Sequence, residues 1–315
     1  MKKQRNNSLE VRLGKMVLAT PLVMASGTFG YGTELRDILD YRHIGALITK
    51  TITLDARPGN PQPRIWETAS GMLNTIGLQN PGVDLFLEKR LPLLKKAGTK
   101  VFVSFTGSSH EEIVRLLERL RGQKIDALEF NLSCPNYRVN EIMVSQSARL
   151  TGEAVKMAKE FCGAVPLIVK LSPNVADISE IAVAAEEAGA DILSLINTVK
   201  GMAIDLKRNR AVFGGLSGPA IKPVGLRAVY ETYRKVKVPL IGMGGVSCGE
   251  DVVEYLSAGA SAVGIGSALF ADPVLPDSAA AFLKEYCSLH DTTCSRLTGR
   301  IHGKKADGKE SSHSR

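Results

Sequence analysis

The feature of this sequence that most constrains its fold is a repeat in which short apolar runs alternate with amphipathic stretches. Eight runs have the length and composition of buried strands, and a stretch of helical periodicity follows most of them. The predicted strands cover residues 22–26, 45–50, 100–105, 125–131, 166–171, 191–197, 239–244 and 262–266. The predicted helices cover residues 33–41, 83–97, 110–122, 147–162, 177–188, 224–236, 248–258 and 278–289. This alternation indicates a parallel sheet with helical crossovers.

Eight such units predict an α/β protein built as a single (β/α)8 TIM barrel. An open doubly wound sheet would show the dinucleotide-binding turn G-x-G-x-x-G early in the chain, and no such turn follows the first strand. Two segments, 57–80 and 200–217, are too long and too rich in turn residues for the simple repeat. We expect them to be β-rich insertions at the C-terminal face of the barrel, because long structured segments usually carry function.

Composition indicates a globular protein, and we expect it in the cytoplasm. Hydrophobic residues make up 44% and charged residues 23% of the 315 residues, which suffices for a large core. No apolar run approaches the roughly 18 residues of a membrane span, and the basic start of the chain has no apolar segment behind it. The five cysteines are scattered without a CxxC pair, so we expect no disulfide framework and no metal site in this chain.

The net charge of +8 does not by itself indicate nucleic-acid binding. No basic motif interleaved with aromatic residues occurs, and many basic residues alternate with acidic ones along predicted helices. Part of the charge lies at the C-terminus, where Lys and Arg stand among Gly, Ser and His. We therefore divide the chain into a ligand-binding barrel at residues 1–290 and a basic, disordered tail at residues 291–315.

Polar side chains collect at the C-terminal ends of the predicted strands, where barrels of this kind place their active sites. The fourth strand ends in Asn131-Leu-Ser-Cys-Pro-Asn136, which supplies two amides, a hydroxyl and a thiol within six positions. Pro135 biases Cys134 toward an extended conformation, so the thiol can face a cavity. A buried structural cysteine beside capping asparagines is the alternative interpretation of this hexapeptide.

Glycines and lysines at other strand ends predict a flavin nucleotide. Gly242-Met-Gly-Gly-Val246 and Gly264-Ile-Gly-Ser-Ala268 place glycines at strand-to-helix turns, which can hold a phosphate or can simply be tight turns. Lys50 and Lys170 end the second and fifth strands. A lysine there needs an anion or an electron-rich ring such as an isoalloxazine, unless it lies at the surface just past its strand. A phosphate site beside a ring site indicates FMN more than a nicotinamide nucleotide.

Neutral amides at the same edge suit a small polar ligand. Asn74, Asn131, Asn136 and Asn197 each offer donors and an acceptor. Four amides that converge on one spot would bind a cyclic imide or ureide with a carboxylate. Taken singly, each of them has the alternative role of a turn or cap residue.

Through the longer motifs around these residues, the sequence resembles the catalytic subunit of dihydroorotate dehydrogenase, specifically the class 1 enzymes. The motifs are Ala25-Ser-Gly-Thr-Phe-Gly30, Thr49-Lys-Thr51, Arg57-Pro-Gly-Asn-Pro-Gln-Pro-Arg64, Gly71-Met-Leu-Asn-Thr-Ile-Gly-Leu-Gln-Asn-Pro-Gly82, Asn131-Leu-Ser-Cys-Pro-Asn136, Val169-Lys-Leu-Ser-Pro173, Asn197-Thr-Val-Lys-Gly-Met-Ala-Ile-Asp205, Gly215-Leu-Ser-Gly-Pro-Ala-Ile-Lys-Pro223 and Gly242-Met-Gly-Gly-Val246. Cys134 stands where enzymes of this family have their catalytic base, and a cysteine at that position resembles class 1. The forms of the motifs that end at Gly82 and at Asp205 resemble the NAD-linked type 1B.

The resemblance implies FMN-dependent oxidation of dihydroorotate to orotate in the synthesis of UMP. Cys134 would remove a proton from C5 of the substrate while a hydride leaves C6 for N5 of FMN. Electrons would pass to NAD through a partner subunit that carries FAD and a 2Fe–2S cluster. The resemblance also implies a dimer of barrels within a heterotetramer.

The resemblance further assigns residues to the two ligands. The substrate would contact Lys50, Asn74, Ile76, Gly77, Leu78, Asn131, Asn136, Asn197 and Thr198. FMN would contact Ala25, Ser26, Gly27, Lys50, Thr51, Asn131, Lys170, Ile196, Ser217, Gly218, Gly244, Gly245, Gly266 and Ser267.

Three alternative hypotheses fit parts of the same sequence. Segment 137–145 lacks the glycine of the family's flexible lid, which is compatible with an FMN enzyme that acts on another dihydropyrimidine. A class 1A enzyme would use fumarate in place of NAD. A flavin-free barrel that serves as a scaffold is the third hypothesis, and the Cys134 thiol together with the two strand-end lysines argues against it.

Overall fold

The computed structural model describes residues 7–94, 96–133, 137–139 and 142–303, and its centre is a closed barrel of eight parallel strands. An antiparallel pair, β1 (Val11–Leu13) and β2 (Met16–Leu18), precedes it. The barrel strands are β3 (Leu22–Met24), β4 (Ala46–Ile48), β7 (Lys100–Phe105), β8 (Ala127–Asn131), β11 (Leu167–Lys170), β12 (Ile192–Leu195), β15 (Leu240–Met243) and β16 (Ala262–Ile265). Each strand pairs with the next in this order and β16 pairs with β3, which confirms the predicted (β/α)8 barrel.

The barrel strands form because their apolar runs are buried on both faces, against the interior and against the surrounding helices. Every residue of β3, β4, β11, β12, β15 and β16 is buried. All eight predicted strands occur, and most are one or two residues shorter at an end. Residues just past the C-terminal ends, such as Lys50, Asn197 and Gly244, line a cavity instead of pairing in the barrel.

Helices surround the barrel and alternate with its strands. They are α1 (Val83–Leu85), α2 (Leu91–Leu94), α3 (His110–Leu120), α4 (Ala148–Cys162), α5 (Ile178–Glu187), α6 (Lys222–Tyr233), α7 (Gly249–Ala258), α8 (Leu275–Leu289) and α9 (Cys294–Leu297). A π-helical stretch, Phe86–Arg90, joins α1 to α2. Ser109 and Ser147 cap α3 and α4 through their side chains. Among the described helices, none has the length and apolar content that crossing a bilayer requires.

The helix predicted at residues 33–41 is wrong, whereas the other seven predicted helices occur. The segment forms turns that lead into a 3-10 helix, Tyr41–His43. The Glu34 carboxylate accepts hydrogen bonds from the backbone N–H groups of Tyr31 and Thr33. These side-chain bonds stabilise turns and compete with the backbone bonds of a helix.

The two long insertions form one four-stranded sheet, which confirms the prediction of β-rich insertions. Its strands are β5 (Ile65–Thr68), β6 (Gly71–Asn74), β13 (Val199–Asp205) and β14 (Arg210–Ser217), in the order β13-β14-β6-β5. Pairing of Gly215 with Asn74 joins the two insertions. A short hairpin of β9 (Arg138–Val139) and β10 (Ile142–Met143) follows β8.

The chain is folded as far as residue 303, so the predicted start of a disordered tail at residue 291 is wrong. Cys294 and Leu297 in α9 are buried. Gly299 donates its N–H to Leu256 O at 2.9 Å, which ties this segment to α7. Because Cys294 and Leu297 are three positions apart, they lie on one helix face and bury it together. Residues 304–315 lie outside the described residues.

Candidate active site

A cavity of about 830 Å³ lies where the C-terminal ends of the barrel strands meet the four-stranded insertion sheet. All predicted site residues that the structure describes line it. They are Ala25, Ser26, Gly27, Lys50, Thr51, Asn74, Ile76, Gly77, Leu78, Asn131, Lys170, Ile196, Asn197, Thr198, Ser217, Gly218, Gly244, Gly245, Gly266 and Ser267. The barrel topology brings these residues together from almost the whole length of the chain.

Two predicted site residues, Cys134 and Asn136, lie outside the described residues. Ser133, which precedes them, lines the cavity, and so does Met143 of β10, which follows them. Tyr137 is buried and packs near Phe130, with ring centroids 6.2 Å apart. The chain on both sides of the predicted base therefore borders the cavity.

A chain of hydrogen bonds orients the two amides at the ends of β8 and β12. Asn197 Nδ2 donates to Asn131 Oδ1 at 3.4 Å, and Asn131 Nδ2 donates to Thr51 Oγ1 at 3.3 Å. The backbone N–H of Thr198 donates to Asn197 Oδ1 at 2.8 Å. Because this donor fixes which end of the Asn197 amide is the acceptor, both amides have a defined direction. Defined directions allow a site to distinguish donors from acceptors on a ligand.

Hydroxyl groups hold Thr51 in place at one end of this chain. Thr51 Oγ1 lies 2.9 Å from Ser104 Oγ and 3.2 Å from Ser26 Oγ. Ser26 Oγ in turn donates to Thr49 O at 2.8 Å. Thr51 therefore connects β7 to the segments that follow β3 and β4, and it links their positions to the amide pair.

Two lysines bring positive charge to the cavity. Lys170 is buried with 5% exposure, and Lys50 is half-buried. Within the described part of the chain, neither ammonium group has a hydrogen bond or an ion pair. Burial, and then the charge of Arg64, lower the pKa of Lys50 below its usual range. An anionic ligand would offset the cost of holding both charges here.

Glycine turns line the cavity at the ends of β15 and β16, which are neighbouring strands. Gly244 and Gly245 have φ values of +125° and +71°, which residues with a side chain rarely adopt. A Cβ atom at Gly245 would lie 2.8 Å from Gly218 O, so only glycine permits this approach. Gly266 follows β16 beside them. A cradle without side chains fits a phosphate, which backbone N–H groups must approach closely.

The loop at residues 76–78 offers backbone donors at the cavity wall. Ile76 O accepts from Asn60 N at 3.0 Å, and Leu78 O accepts from Asn80 Nδ2 at 2.8 Å. The N–H groups of Ile76, Gly77 and Leu78 donate to no group within the described ranges. Leu78 has a φ of +56°, an uncommon value outside glycine that often marks functional loops. These three donors are therefore free for an anion.

Several cavity residues were not predicted from the sequence, among them Arg64, Asn174 and Met243. Asn174 Nδ2 donates to Thr198 O at 3.0 Å and Asn174 Oδ1 accepts from Lys200 N at 2.8 Å. Asn174 thereby connects the loop after β11 to the insertion sheet. Its signal in the sequence was an amide four positions after a strand-end lysine. The signal for Arg64 was a cation at the end of the proline-rich run at residues 57–64.

The outer rim of the cavity is apolar. Ile65, Phe213 and Phe270 line the cavity and are nonetheless exposed. Met202, which is paired with Phe213 across β13 and β14, is also exposed. Exposed apolar surface around a cavity is typical of contact with another molecule.

Similarity to known proteins covers most of the chain. The family model described as dihydroorotate dehydrogenase matches residues 8–286. A protein of Desulforamulus reducens named dihydroorotate dehydrogenase B (NAD(+)), catalytic subunit, is 48% identical over 271 residues, 84% of this chain and 89% of that protein. A protein of the same name from Bacteroides thetaiotaomicron is 46% identical over 287 residues, 90% and 94% of the two chains. The crystal structure of DHODH in complex with ferulenol from Eimeria tenella has the same fold, with a TM-score of 0.79, 22% identity and coverage of 96% of this chain and 91% of that chain.

Proposed function

Because the chain belongs to the dihydroorotate dehydrogenase family, we propose that its cavity oxidises dihydroorotate to orotate, a step of pyrimidine synthesis. Enzymes of this family generally use FMN. The observation that carries the proposal is the composition of the cavity wall. Oriented amides, two cations without a described partner and a glycine cradle line the same space.

The residues that would hold FMN fall into two sets, one that would bind its phosphate and one that would contact the rest of the molecule. Gly244, Gly245, Gly266 and Ser267 would bind the phosphate, since the backbone at these turns can approach it closely. The remaining FMN contacts would come from Ala25, Ser26, Gly27, Lys50, Thr51, Asn131, Lys170, Ile196, Ser217 and Gly218. When bound, FMN supplies a ring that accepts a hydride from the substrate.

Dihydroorotate is a cyclic ureide with a carboxylate, and the cavity wall has groups for both parts. The ring N–H and C=O groups would be bound by Asn74, Asn131, Asn136, Asn197 and Thr198. The free N–H groups of residues 76–78 and the Lys50 ammonium would bind the carboxylate. The amides would thus pair with the neutral ring of the substrate, and the hydrogen-bond donors would pair with its negatively charged carboxylate.

We assign Cys134 as the base that takes the proton from C5 of the substrate. It follows Ser133, which lines the cavity. A thiol acts as a base in its thiolate form, and positive charge nearby favours that form. Lys50 and Lys170 supply such charge to the same cavity. The amide pair would meanwhile hold the ring so that C5 stays in reach of the sulfur.

We propose that electrons leave toward NAD through a partner subunit that carries FAD and a 2Fe–2S cluster. The relatives from Desulforamulus reducens and Bacteroides thetaiotaomicron are named catalytic subunits of an NAD(+) enzyme, which supports a separate subunit. The exposed apolar rim around the cavity supports contact with another chain. The assembly would be a heterotetramer around a dimer of barrels.

A second candidate is an FMN enzyme that acts on another dihydropyrimidine. The observation that favours it is the segment after β8, whose residues 137–145 contain no glycine and whose Met143 lines the cavity. A changed covering segment would alter which ring substituents the cavity admits. Use of fumarate in place of NAD is the corresponding alternative for the electron acceptor.

An absorbance spectrum of the purified protein under anaerobic conditions tests cofactor and substrate together. We expect a flavin spectrum that bleaches when dihydroorotate is added. Protein that binds no flavin contradicts the proposal. Bleaching by dihydrouracil but not by dihydroorotate favours the second candidate. Rapid turnover of the lone chain with fumarate contradicts the NAD-linked partner.

A further inference from the structure

Two ionisable side chains of the barrel strands are buried. Within the eight barrel strands, all of them described, charged residues occur at Lys100, Glu129 and Lys170. Lys100 stands at the start of β7, where its side chain is 43% exposed and pairs with Asp126 at 2.9 Å. Glu129 is 0% exposed and Lys170 is 5% exposed. The barrel strands therefore carry one buried carboxyl side chain and one buried lysine.

The Glu129 side chain points into the barrel interior. Ser194 Oγ donates to Glu129 Oε2 at 3.4 Å. Ser194 is in β12 and Glu129 is in β8, and these strands are separated by β11. Side chains of strands that are not neighbours meet in the interior of a barrel. The second oxygen, Oε1, is buried and accepts no hydrogen bond from any residue that the structure describes.

Lys170 occupies the same interior, one level closer to the cavity. It is the register partner of Ser194 on one side and of Asn131 on the other, so these side chains share a face of the sheet. Glu129 lies two positions before Asn131 and belongs to that face as well. From strand rise and spacing, the Cα atoms of Glu129 and Lys170 are about 8 Å apart. Lys170 lines the cavity, and Glu129 lies beneath it.

Each of these charges would be costly alone. Glu129 has one long hydrogen bond from a neutral hydroxyl, and Lys170 has no described partner. An isolated charge in a protein interior is strongly destabilising, whereas opposite charges attract over longer distances there than in water. Lys50 lies two positions beyond the end of β4 and is only half-buried, so it is outside the barrel strands that hold Glu129. Lys170 is the remaining buried cation of the barrel strands.

We propose that Glu129 is the buried counter-charge of Lys170, and that through Lys170 it lowers the reduction potential of the flavin bound in the cavity. The inference rests on the proposed function, which assigns Lys170 to the flavin ring. A cation beside the ring stabilises the electron-rich reduced form, and an anion behind that cation weakens the effect. Glu129 is thus a positioning residue that makes the reduced flavin a stronger electron donor for the partner subunit.

The midpoint potential of the bound flavin tests this role. In anaerobic dye titrations of the holoprotein, we expect Glu129→Gln to shift the potential to more positive values. At a fixed dye potential, the ratio of reduced to oxidised flavin should rise roughly tenfold. Glu129→Asp keeps the charge and should stay close to the wild type. An unchanged potential in Glu129→Gln overturns the inference, and so does an equal shift in Glu129→Asp.

A stability cycle tests the pairing by a measurement other than the flavin potential. We expect Glu129→Gln and Lys170→Gln each to lower the unfolding temperature of the purified protein, because each leaves a buried charge uncompensated. The double variant should be more stable than the sum of the two losses predicts. Additive losses overturn the pairing, and recovery in the double variant supports it even if Glu129→Gln alone does not fold. Wild-type protein without flavin contradicts the proposed function instead, and the stability cycle still decides the pairing.

Discussion

Asn197, two positions past β12, donates its side-chain N–H to Asn131 Oδ1 of β8 across 3.4 Å, although β11 separates the two strands. The bond therefore passes through the barrel mouth and not along the sheet. Since Thr198 N and Thr51 Oγ1 hold the two ends of the pair, the amides constrain each other. A ligand that binds one of them meets an orientation set by both.

Asn197→Ala should weaken substrate binding. The change removes one proposed substrate contact and one of the hydrogen bonds that orient Asn131, so we expect KM for dihydroorotate to rise roughly ten- to hundredfold. Steady-state kinetics measure this. Gln123→Ala removes an amide outside the cavity wall and serves as the control, with an unchanged KM. A normal KM in Asn197→Ala would exclude Asn197 from the substrate site.

Gly245→Ala should reduce the amount of bound flavin. Its Cβ would lie 2.8 Å from Gly218 O, and relief of that contact would open the proposed phosphate cradle. Gly163→Ala is a matched control, because Gly163 has a φ of +59° but no atom within 4 Å of an added Cβ. Both variants carry the strain of positive φ, and only Gly245→Ala should lower the ratio of flavin to protein. Equal flavin content in the two variants would contradict the assignment.

The barrel was predictable because its strands are continuous apolar runs of nearly constant length, separated by helical patterns. The two errors have local causes. At residues 33–41, hydrogen bonds between the Glu34 carboxylate and nearby backbone N–H groups stabilise turns in place of the predicted helix. After residue 290, the basic composition led to a prediction of disorder, although two apolar residues there, Cys294 and Leu297, are buried against the folded chain.

The candidate site was predictable to the extent that it lies at strand ends. Residues such as Lys170 and Asn197 follow apolar runs, so barrel geometry alone places them at one edge. Glu129 could not be assigned in this way, because it lies inside a strand and its partner Ser194 is 65 positions away in the chain. Such a contact exists only once the barrel has closed.

Because of Lys50, the affinity for orotate should change with pH, at pH values below those at which an exposed lysine loses its charge. Burial and Arg64 lower the pKa of Lys50, so its positive charge is lost at a lower pH than that of an exposed lysine. We expect the affinity for orotate, an anion, to fall as pH rises through that pKa. Titrations followed by the flavin spectrum measure the effect.

Arg64→Gln is the companion variant for this pH dependence. Loss of the neighbouring positive charge should raise the pKa of Lys50 and move the fall in orotate affinity to higher pH. Lys50→Arg should abolish the fall in this range, because a guanidinium stays charged. If Lys50→Arg keeps the wild-type pH profile, another group is responsible for it.

Leu297→Ala should destabilise the protein, because the segment after residue 290 is part of the fold. Leu297 is 1% exposed in α9, so truncation leaves a cavity that costs about 2–5 kcal/mol. Leu289 is 77% exposed, and Leu289→Ala should change stability by no more than about 0.5 kcal/mol. Urea unfolding compares the two. Equal stabilities would mean that α9 adds nothing to the core.

Cys134→Ala should separate flavin binding from proton removal. The variant loses the proposed base and none of the groups assigned to the flavin, so its absorbance spectrum should match that of the wild type. Reduction of the flavin by dihydroorotate should slow by roughly 10²- to 10⁴-fold in stopped-flow measurements. Cys248→Ala removes a thiol that does not line the cavity and should reduce at the wild-type rate. Wild-type reduction by Cys134→Ala would show that a different group takes the proton from C5.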